Sequence, residues 1–138
     1  MRVLHVGAEI YPFVKTGGLA DVLGALPTAL SAGGDDVRVL LPGLPALVKA
    51  LHRTRIVGSV QPPWGGAAAE LIEGVFEAPS LANVKALLLA HDALYARPGT
   101  PYGDGAGHAF ADNPRRFALL GLAAARLAEG AHAAWRPQ

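Results

Sequence analysis

Residues 2–42 read RVLHVGAEIYPFVKTGGLADVLGALPTALSAGGDDVRVLLP, and this segment decides the fold class. It begins with a short apolar run containing valines, 2–9, which predicts a buried strand. From Leu19 onward the apolar residues recur at helical spacing until a pair of glycines ends the pattern, as glycines do at helix C-termini. A second apolar run, 36–42, stops at a proline. This order of strand, helix and strand predicts a βαβ unit, in which the two strands are parallel.

The rest of the chain extends this unit into a larger α/β domain. The patterns predict strands at 54–60, 69–77 and 83–91, a short helix at 44–52, and a last helix capped by Asn113, with Pro114 in its first turn and an apolar face of Phe117, Leu120, Ala124 and Leu127. The first two of these strands flank a turn-rich segment, so we expect a hairpin or an excursion at the sheet edge. The predicted architecture is a Rossmann-like, doubly wound parallel sheet with helices on both faces, in one domain over 1–138.

Composition narrows the range of partners and compartments. The chain has 138 residues, 51% of them hydrophobic, yet no apolar run approaches the roughly 18 residues that a membrane helix needs. The net charge is +1 with both signs scattered, so we expect no nucleic acid partner. The absence of cysteine excludes disulfides and thiolate metal ligands. We therefore expect a cytoplasmic protein that binds neither membranes nor nucleic acids.

Two unusual loops follow predicted strands, at 10–18 and 92–112. In open α/β sheets, ligands bind beyond the carboxyl ends of the strands. The second loop is long and rich in glycine and proline, and loops of that length in compact domains tend to be functional or disordered. We expect both loops on the same rim of the sheet.

The first loop has the composition of an anion site. Gly17 and Gly18 let the backbone approach a ligand closely and adopt positive φ, and the following helix presents unpaired amides and its positive dipole end. Lys15 adds a mobile cation, so a phosphate or diphosphate is the predicted ligand. The segment matches neither the P-loop nor the dinucleotide fingerprint. An ordinary glycine turn with a surface lysine remains the alternative.

Other candidate side chains each have two interpretations. Asp21 either complements the helix dipole or grips sugar hydroxyls beside the phosphate. Glu9 either faces the rim or caps the loop. Tyr95 and Tyr102 either stack on sugar rings or pack the long loop onto the domain. None of the five histidines forms a pair with convincing metal-ligand spacing, so we predict no metal site.

The chain resembles bacterial glycogen synthases and plant starch synthases that use ADP-glucose. The family opens with an acidic residue, then a proline, then K-T-G-G-L-x-D-V, matched here by Glu9, Pro12, Lys15, Thr16, Gly17, Gly18, Leu19, Asp21 and Val22. A second block, LYARPGTPYGDGAG followed by DNPRRFALL, resembles the family's tyrosine- and glycine-containing loop and its next helix. Two separate blocks in the same order make the resemblance specific.

The resemblance implies a fold, an activity and roles for individual residues. The family's GT-B architecture places two Rossmann-like domains across a cleft, and the enzymes transfer glucose from ADP-glucose to the non-reducing end of an α-1,4-glucan with retention. By position in the motif, Lys15, Thr16, Gly17 and Gly18 would meet the ADP-glucose diphosphate, while Asp21 and Tyr95 would line the sugar and acceptor side. No metal or other cofactor is implied.

The chain also departs from the family pattern. The family continues with a His-x-His-Asp-Trp segment and a second lobe that holds most of the nucleotide, and neither occurs in these residues. We therefore expect a truncated N-terminal lobe with little or no transferase activity, able to self-associate through its incomplete sheet. Two alternatives stay open: a non-catalytic module that binds phosphate or glucan, and a related transferase that uses sucrose or another sugar nucleotide.

Overall fold

The computed structural model describes all residues from Met1 to Gln138. Five strands form one sheet: β1 (Arg2–Val6), β2 (Asp36–Pro42), β3 (Leu51–Val60), β4 (Ala69–Phe76) and β5 (Lys85–Ala90). The helices are α1 (Gly18–Ala32), α2 (Pro45–Ala50), α3 (Asp92–Tyr95) and α4 (Asn113–Glu129), with a short 3₁₀ turn at Pro79–Leu81. None of these helices is long and apolar enough to cross a bilayer.

The sheet has the spatial order β1-β2-β5-β4-β3 and is mixed in direction. β1, β2 and β5 are parallel, with Val3 opposite Val37, whereas β4 runs antiparallel to both of its neighbours. The α/β class and the first βαβ unit are confirmed. The sheet is not parallel throughout, because the segment 61–68 joins β3 to β4 without the crossover that parallel neighbours need. The hairpin expected at the sheet edge is therefore this antiparallel pair.

The centre of the sheet is buried on both faces. Every residue of β2 from Val37 onward is buried, and so are four consecutive residues of β5. A strand covered on both faces has a continuous apolar run, which is what the sequence shows at these two strands. α1 also contacts the 3₁₀ turn that precedes β5, since the Thr28 hydroxyl donates to the Ser80 carbonyl at 2.6 Å.

Helix α4 differs in detail from its prediction. Its N-cap is Asp112, one residue before the predicted cap. The side chains it buries are Arg116, Leu119, Leu120, Ala123 and Leu127, so the buried stripe is rotated from the predicted face. Phe117 is 39% exposed, because its ring stacks on Tyr102 in the preceding loop, with centroids 5.8 Å apart, instead of entering the core.

The strand directions place the long connections at one edge of the sheet. β1, β2 and β5 end at this edge, and β3 ends there too because it runs in the same direction as β5. The connections 7–17 and 91–112 therefore lie side by side, as predicted for the two unusual loops. We call this edge, with the two connections that cover it, the rim.

Candidate functional site

Glu9 is the centre of the rim. Only 2% of it is exposed, and both of its carboxylate oxygens are hydrogen-bonded. Oε2 accepts the backbone amides of Thr16 and Gly17 at 2.6 and 3.3 Å, and Oε1 accepts the hydroxyls of Thr16 and Tyr102, each at 2.6 Å. One carboxylate thus joins the two loops, and its partner Tyr102 is 93 residues from it in sequence.

These hydrogen bonds set the charge state of the cluster. Burial by itself would raise the pKa of Glu9, but the hydrogen bonds from Thr16, Tyr102 and Gly17 outweigh burial and lower that pKa. Burial, together with the hydrogen bond to Glu9 and its charge, raises the pKa of Tyr102 to about 12. At neutral pH the carboxylate is therefore ionised and the phenol is a hydrogen-bond donor.

Lys15 and Asp21 form an exposed ion pair over the start of α1. Lys15 Nζ lies 2.7 and 2.8 Å from the two carboxylate oxygens of Asp21, and the side chains are 46% and 54% exposed. An exposed pair of this kind contributes only about 0–1 kcal/mol to stability. Lys15 can therefore exchange its carboxylate partner for an incoming anion at small cost.

The two glycines leave open space above the helix N-terminus. The φ of Gly17 is −163°, which is extended backbone, and Gly18 is the first residue of α1, so neither has the positive φ expected from the sequence. A Cβ added to either glycine would meet no atom within 4 Å. The chain itself therefore does not require glycine here, and the space is open for close approach by a ligand.

The amide donors available to an anion are fewer than the sequence suggested. The amides of Thr16 and Gly17 already donate to Glu9. Helix geometry leaves the amides of Gly18, Leu19 and Ala20 without intrahelical partners, but Ala20 is fully buried, so only the first two belong to exposed residues. The groups that remain available to an anion are these two amides and the Lys15 ammonium.

Tyr95 does not line the open rim. It is 2% exposed, its hydroxyl donates to the Arg116 carbonyl at 2.7 Å, and burial raises its pKa. For this tyrosine the structure shows the packing alternative, and its family-implied place on the sugar and acceptor side stays a prediction. Tyr102 is the tyrosine of this loop that reaches the site, through its bond to Glu9.

The long loop is ordered by an arginine that sequence reasoning missed. Arg116 is 2% exposed and donates to the carbonyls of Leu94 and Pro101 at 2.7 and 2.8 Å and to Asn113 Oδ1 at 2.7 Å. A buried guanidinium with three such acceptors holds the first half of the loop, at Leu94 and Pro101, against α4. The sequence offers two adjacent arginines at the start of α4 and no signal for which one is buried.

A shallow groove runs beside the first loop. Its volume is about 200 Å³, and its walls come from both loops and from the start of α2, including Val14, Leu44, Pro45, Arg97 and Thr100. Ligand pockets that enclose a small molecule usually measure about 300–1,000 Å³. The groove can therefore hold only part of a nucleotide sugar. Within the chain no three His, Asp or Glu side chains converge as a set of metal ligands.

The fold and the rim define an α/β domain with an open helix N-terminus at the carboxyl edge of its sheet. The family described as the starch synthase catalytic domain has a sequence model that matches residues 2–138. The chain belongs to this family, and the resemblance inferred from its two motif blocks is confirmed.

Relatives and a solved structure agree with this assignment. The chain is 48% identical over 139 residues to a glycogen synthase of Variovorax paradoxus (strain S110), and 49% identical over 140 residues to one of Francisella tularensis subsp. tularensis (strain WY96-3418). All of this chain aligns with each relative, but it spans only 28% of their length. The catalytic domain of starch synthase IV from Arabidopsis thaliana, solved with ADP and acarbose bound, superposes with a TM-score of 0.70 at 26% identity, covering 93% of this chain and 25% of that one.

Proposed function

We propose that this chain is the N-terminal lobe of a retaining glucosyltransferase of the glycogen and starch synthase type. The donor is ADP-glucose, and the acceptor is the non-reducing end of an α-1,4-glucan. Support comes from family membership and from the starch synthase IV structure, which contains ADP and acarbose. Because the chain spans 28% of its glycogen synthase relatives, the proposal assigns the complete activity to a protein of their length, with GT-B architecture and a second lobe that holds most of the nucleotide.

The proposed reaction exchanges one bond at the glucose C1 atom. The bond between C1 and the diphosphate oxygen breaks, and its electron pair leaves with ADP. A new bond forms between C1 and the 4-hydroxyl oxygen of the acceptor, whose proton is released. Negative charge therefore grows on the diphosphate as the reaction proceeds, and preorganised donors directed at that charge lower the barrier.

The observation that carries this proposal is the position of Lys15 at the open N-terminus of α1. Its ammonium is paired with Asp21 in the first turn of α1, beside the free amides of Gly18 and Leu19 and the open space above them, so a diphosphate could lie there close to the backbone. Asp21 pairs with Lys15. When Lys15 turns to a diphosphate, the Asp21 carboxylate would be free to accept hydrogen bonds from sugar hydroxyls. Thr16 and Gly17 act indirectly, through the shape that their bonds to Glu9 give the loop.

We propose that the reaction uses no resident cofactor, since Lys15 and the helix amides would meet the diphosphate charge. We also propose that the protein acts in the cytoplasm. The isolated chain is also proposed to self-associate, because α1 exposes Leu19, Val22 and Leu26 by 44, 52 and 44% and β1 is an outer strand. Size-exclusion chromatography tests this, and a monomer at high concentration would refute it.

Transfer of labelled glucose from ADP-glucose to glycogen, measured with the full-length protein, tests the main proposal. We expect Lys15→Ala to lower kcat by about 100-fold or more, since one preorganised donor to the developing charge is removed, with little change in unfolding. Lys49→Ala, an exposed lysine in α2, is the matched control and should retain normal turnover.

Other outcomes separate the alternatives. Equal turnover in the Lys15→Ala protein would refute the role of Lys15. Titration calorimetry that detects glucan binding by a full-length protein with no transfer would favour the non-catalytic module. Transfer from sucrose or UDP-glucose, but not from ADP-glucose, would favour a related transferase.

A further inference from the structure

We propose that Glu9 is a positioning residue that joins the two rim loops into one rigid unit. The inference rests on the proposed function for its meaning in catalysis, but its structural part stands on hydrogen bonds alone. Glu9 holds the loop that carries Lys15 through Thr16 and Gly17, and holds the long loop through Tyr102.

The carboxylate of Glu9 has no acceptor capacity left for a substrate. An ionised carboxylate offers about four lone-pair sites. Two amides occupy Oε2 and two hydroxyls occupy Oε1, and the side chain is buried. Glu9 therefore acts through the groups it holds and not by touching the reacting atoms.

Tyr102 extends the unit from Glu9 to helix α4. Its carbonyl accepts the Asn113 side-chain amide at 2.8 Å, and its ring stacks on Phe117. A continuous series of contacts thus leads from the start of α1, through Glu9 and Tyr102, to the start of α4. Displacement of the Tyr102 loop would be felt at the residue next to Lys15, because both loops share one carboxylate.

The donor types predict which substitution the unit tolerates. In Glu9→Gln the remaining oxygen can take the place of Oε2 and keep both amide bonds. The new amide group can then donate to the hydroxyls of Thr16 and Tyr102, because hydroxyls both donate and accept. Glu9→Ala removes all four bonds. A role in hydrogen bonding therefore tolerates glutamine, whereas a role that depends on charge does not.

The test measures kcat and KM for ADP-glucose in the full-length protein, per folded enzyme, together with amide hydrogen exchange. We expect Glu9→Ala to lower kcat/KM by about 100-fold, the cost typical of a misplacement of about 1 Å, and Tyr102→Phe to lower it by about 10-fold. In the Glu9→Ala background, Tyr102→Phe should have no further effect, because the bond is already absent. Glu9→Gln should stay within about threefold of the wild type.

Hydrogen exchange supplies a readout that does not depend on activity. In Glu9→Ala, the amides of Thr16 and Gly17 and those of 98–110 should all exchange faster, whereas Tyr102→Phe should release only the second group. Glu73→Gln is the matched control, because it changes a carboxylate of similar burial that touches neither loop. It should leave kcat/KM of the folded enzyme unchanged.

The inference fails if Glu9→Gln is as damaging as Glu9→Ala, or if Tyr102→Phe has the same effect in both backgrounds. It also fails if exchange in 98–110 does not respond to Glu9→Ala. A wild-type protein without transferase activity would instead refute the proposed function. The exchange measurements would still decide whether Glu9 joins the two loops.

Discussion

The molecule buries two carboxylates in opposite ways. Glu9 at the rim is surrounded by neutral donors, two amides and two hydroxyls. Glu73 on β4 is surrounded by basic side chains: it pairs with Arg38, with Arg55 at 2.6 Å, and with His132 at 3.1 Å. Burial opposes ionisation at both sites, yet hydrogen bonds at Glu9, and hydrogen bonds and nearby cations at Glu73, leave each pKa lowered.

The Glu73 cluster is part of the domain's core. Arg38 is 4% exposed, and its guanidinium lies 4.4 Å from the centroid of the Trp135 ring, whose Nε1 donates to Asp36 at 2.9 Å. The cluster therefore joins β2, β3 and β4 to the segment after α4. Arg38 Nε also lies 4.0 Å from Asp36 Oδ1, but Glu73 is its close and buried charge partner.

The difference shows how the same residue type serves two purposes. Cations around Glu73 make a cluster in which the loss of one member leaves a buried charge without compensation. Neutral donors around Glu9 hold two loops while leaving the charged groups of the rim, Lys15 and Asp21, exposed to solvent. The core cluster fixes the sheet, and the rim cluster shapes a surface that a ligand can still reach.

The largest effect is expected from Glu73→Leu. This change leaves the Arg38 guanidinium buried beside an apolar side chain, and removal of one partner of a buried ion pair typically costs about 3–5 kcal/mol. Urea denaturation of the chain, followed by circular dichroism, measures the free energy of unfolding. Glu9→Gln is the comparison variant and should cost clearly less. Equal losses in the free energy of unfolding would contradict the stated difference between a carboxylate held by cations and one held by neutral donors.

A second prediction concerns acid. Each carboxylate has a folded-state pKa below its ordinary value of 4.5, so its stabilising contribution is present above pH 4.5 and is lost as pH falls through the folded-state pKa. The free energy of unfolding should therefore decrease as pH falls below 4.5. In Glu9→Gln one of these groups no longer titrates, and the decrease should be smaller. An unchanged acid slope in that variant would contradict the lowered pKa of Glu9.

Much of the fold could be predicted from the sequence because its signals are local. β2 was predicted at 36–42 and spans Asp36–Pro42, since a parallel strand buried on both faces leaves a continuous apolar run. The helical spacing after the Lys15 loop gave α1 within one residue. The direction of β4 left no such mark, because a strand's apolar residues do not record the direction of its neighbours.

The rim was predicted only in part, because its contacts are distant in sequence. Tyr95 and Tyr102 lie in the same predicted loop, and the sequence around them does not distinguish their roles. Their positions depend on distant partners: the Tyr95 hydroxyl donates to a carbonyl of α4, and the Tyr102 hydroxyl donates to Glu9. The expectation of positive φ at the diglycine was also wrong, since glycine can mark open space as well as unusual backbone. Glu9 caps the loop, which is one of its two predicted roles, but nothing local indicates that it takes up two of the loop's amides.

The smallest effect on stability, and the sharpest contrast between the two regions, is expected at glycines. Gly18→Ala places a methyl group in open space at a helical residue, so we expect a gain of about 0.4–1 kcal/mol from reduced freedom of the unfolded chain. Gly74→Ala, next to Glu73, would place its Cβ 2.7 Å from the His52 carbonyl oxygen and should destabilise the chain. If a diphosphate lies against α1, Gly18→Ala should nevertheless weaken turnover of ADP-glucose in the full-length protein. A variant that is more stable and equally active would place the diphosphate elsewhere and leave the open space above α1 without a ligand.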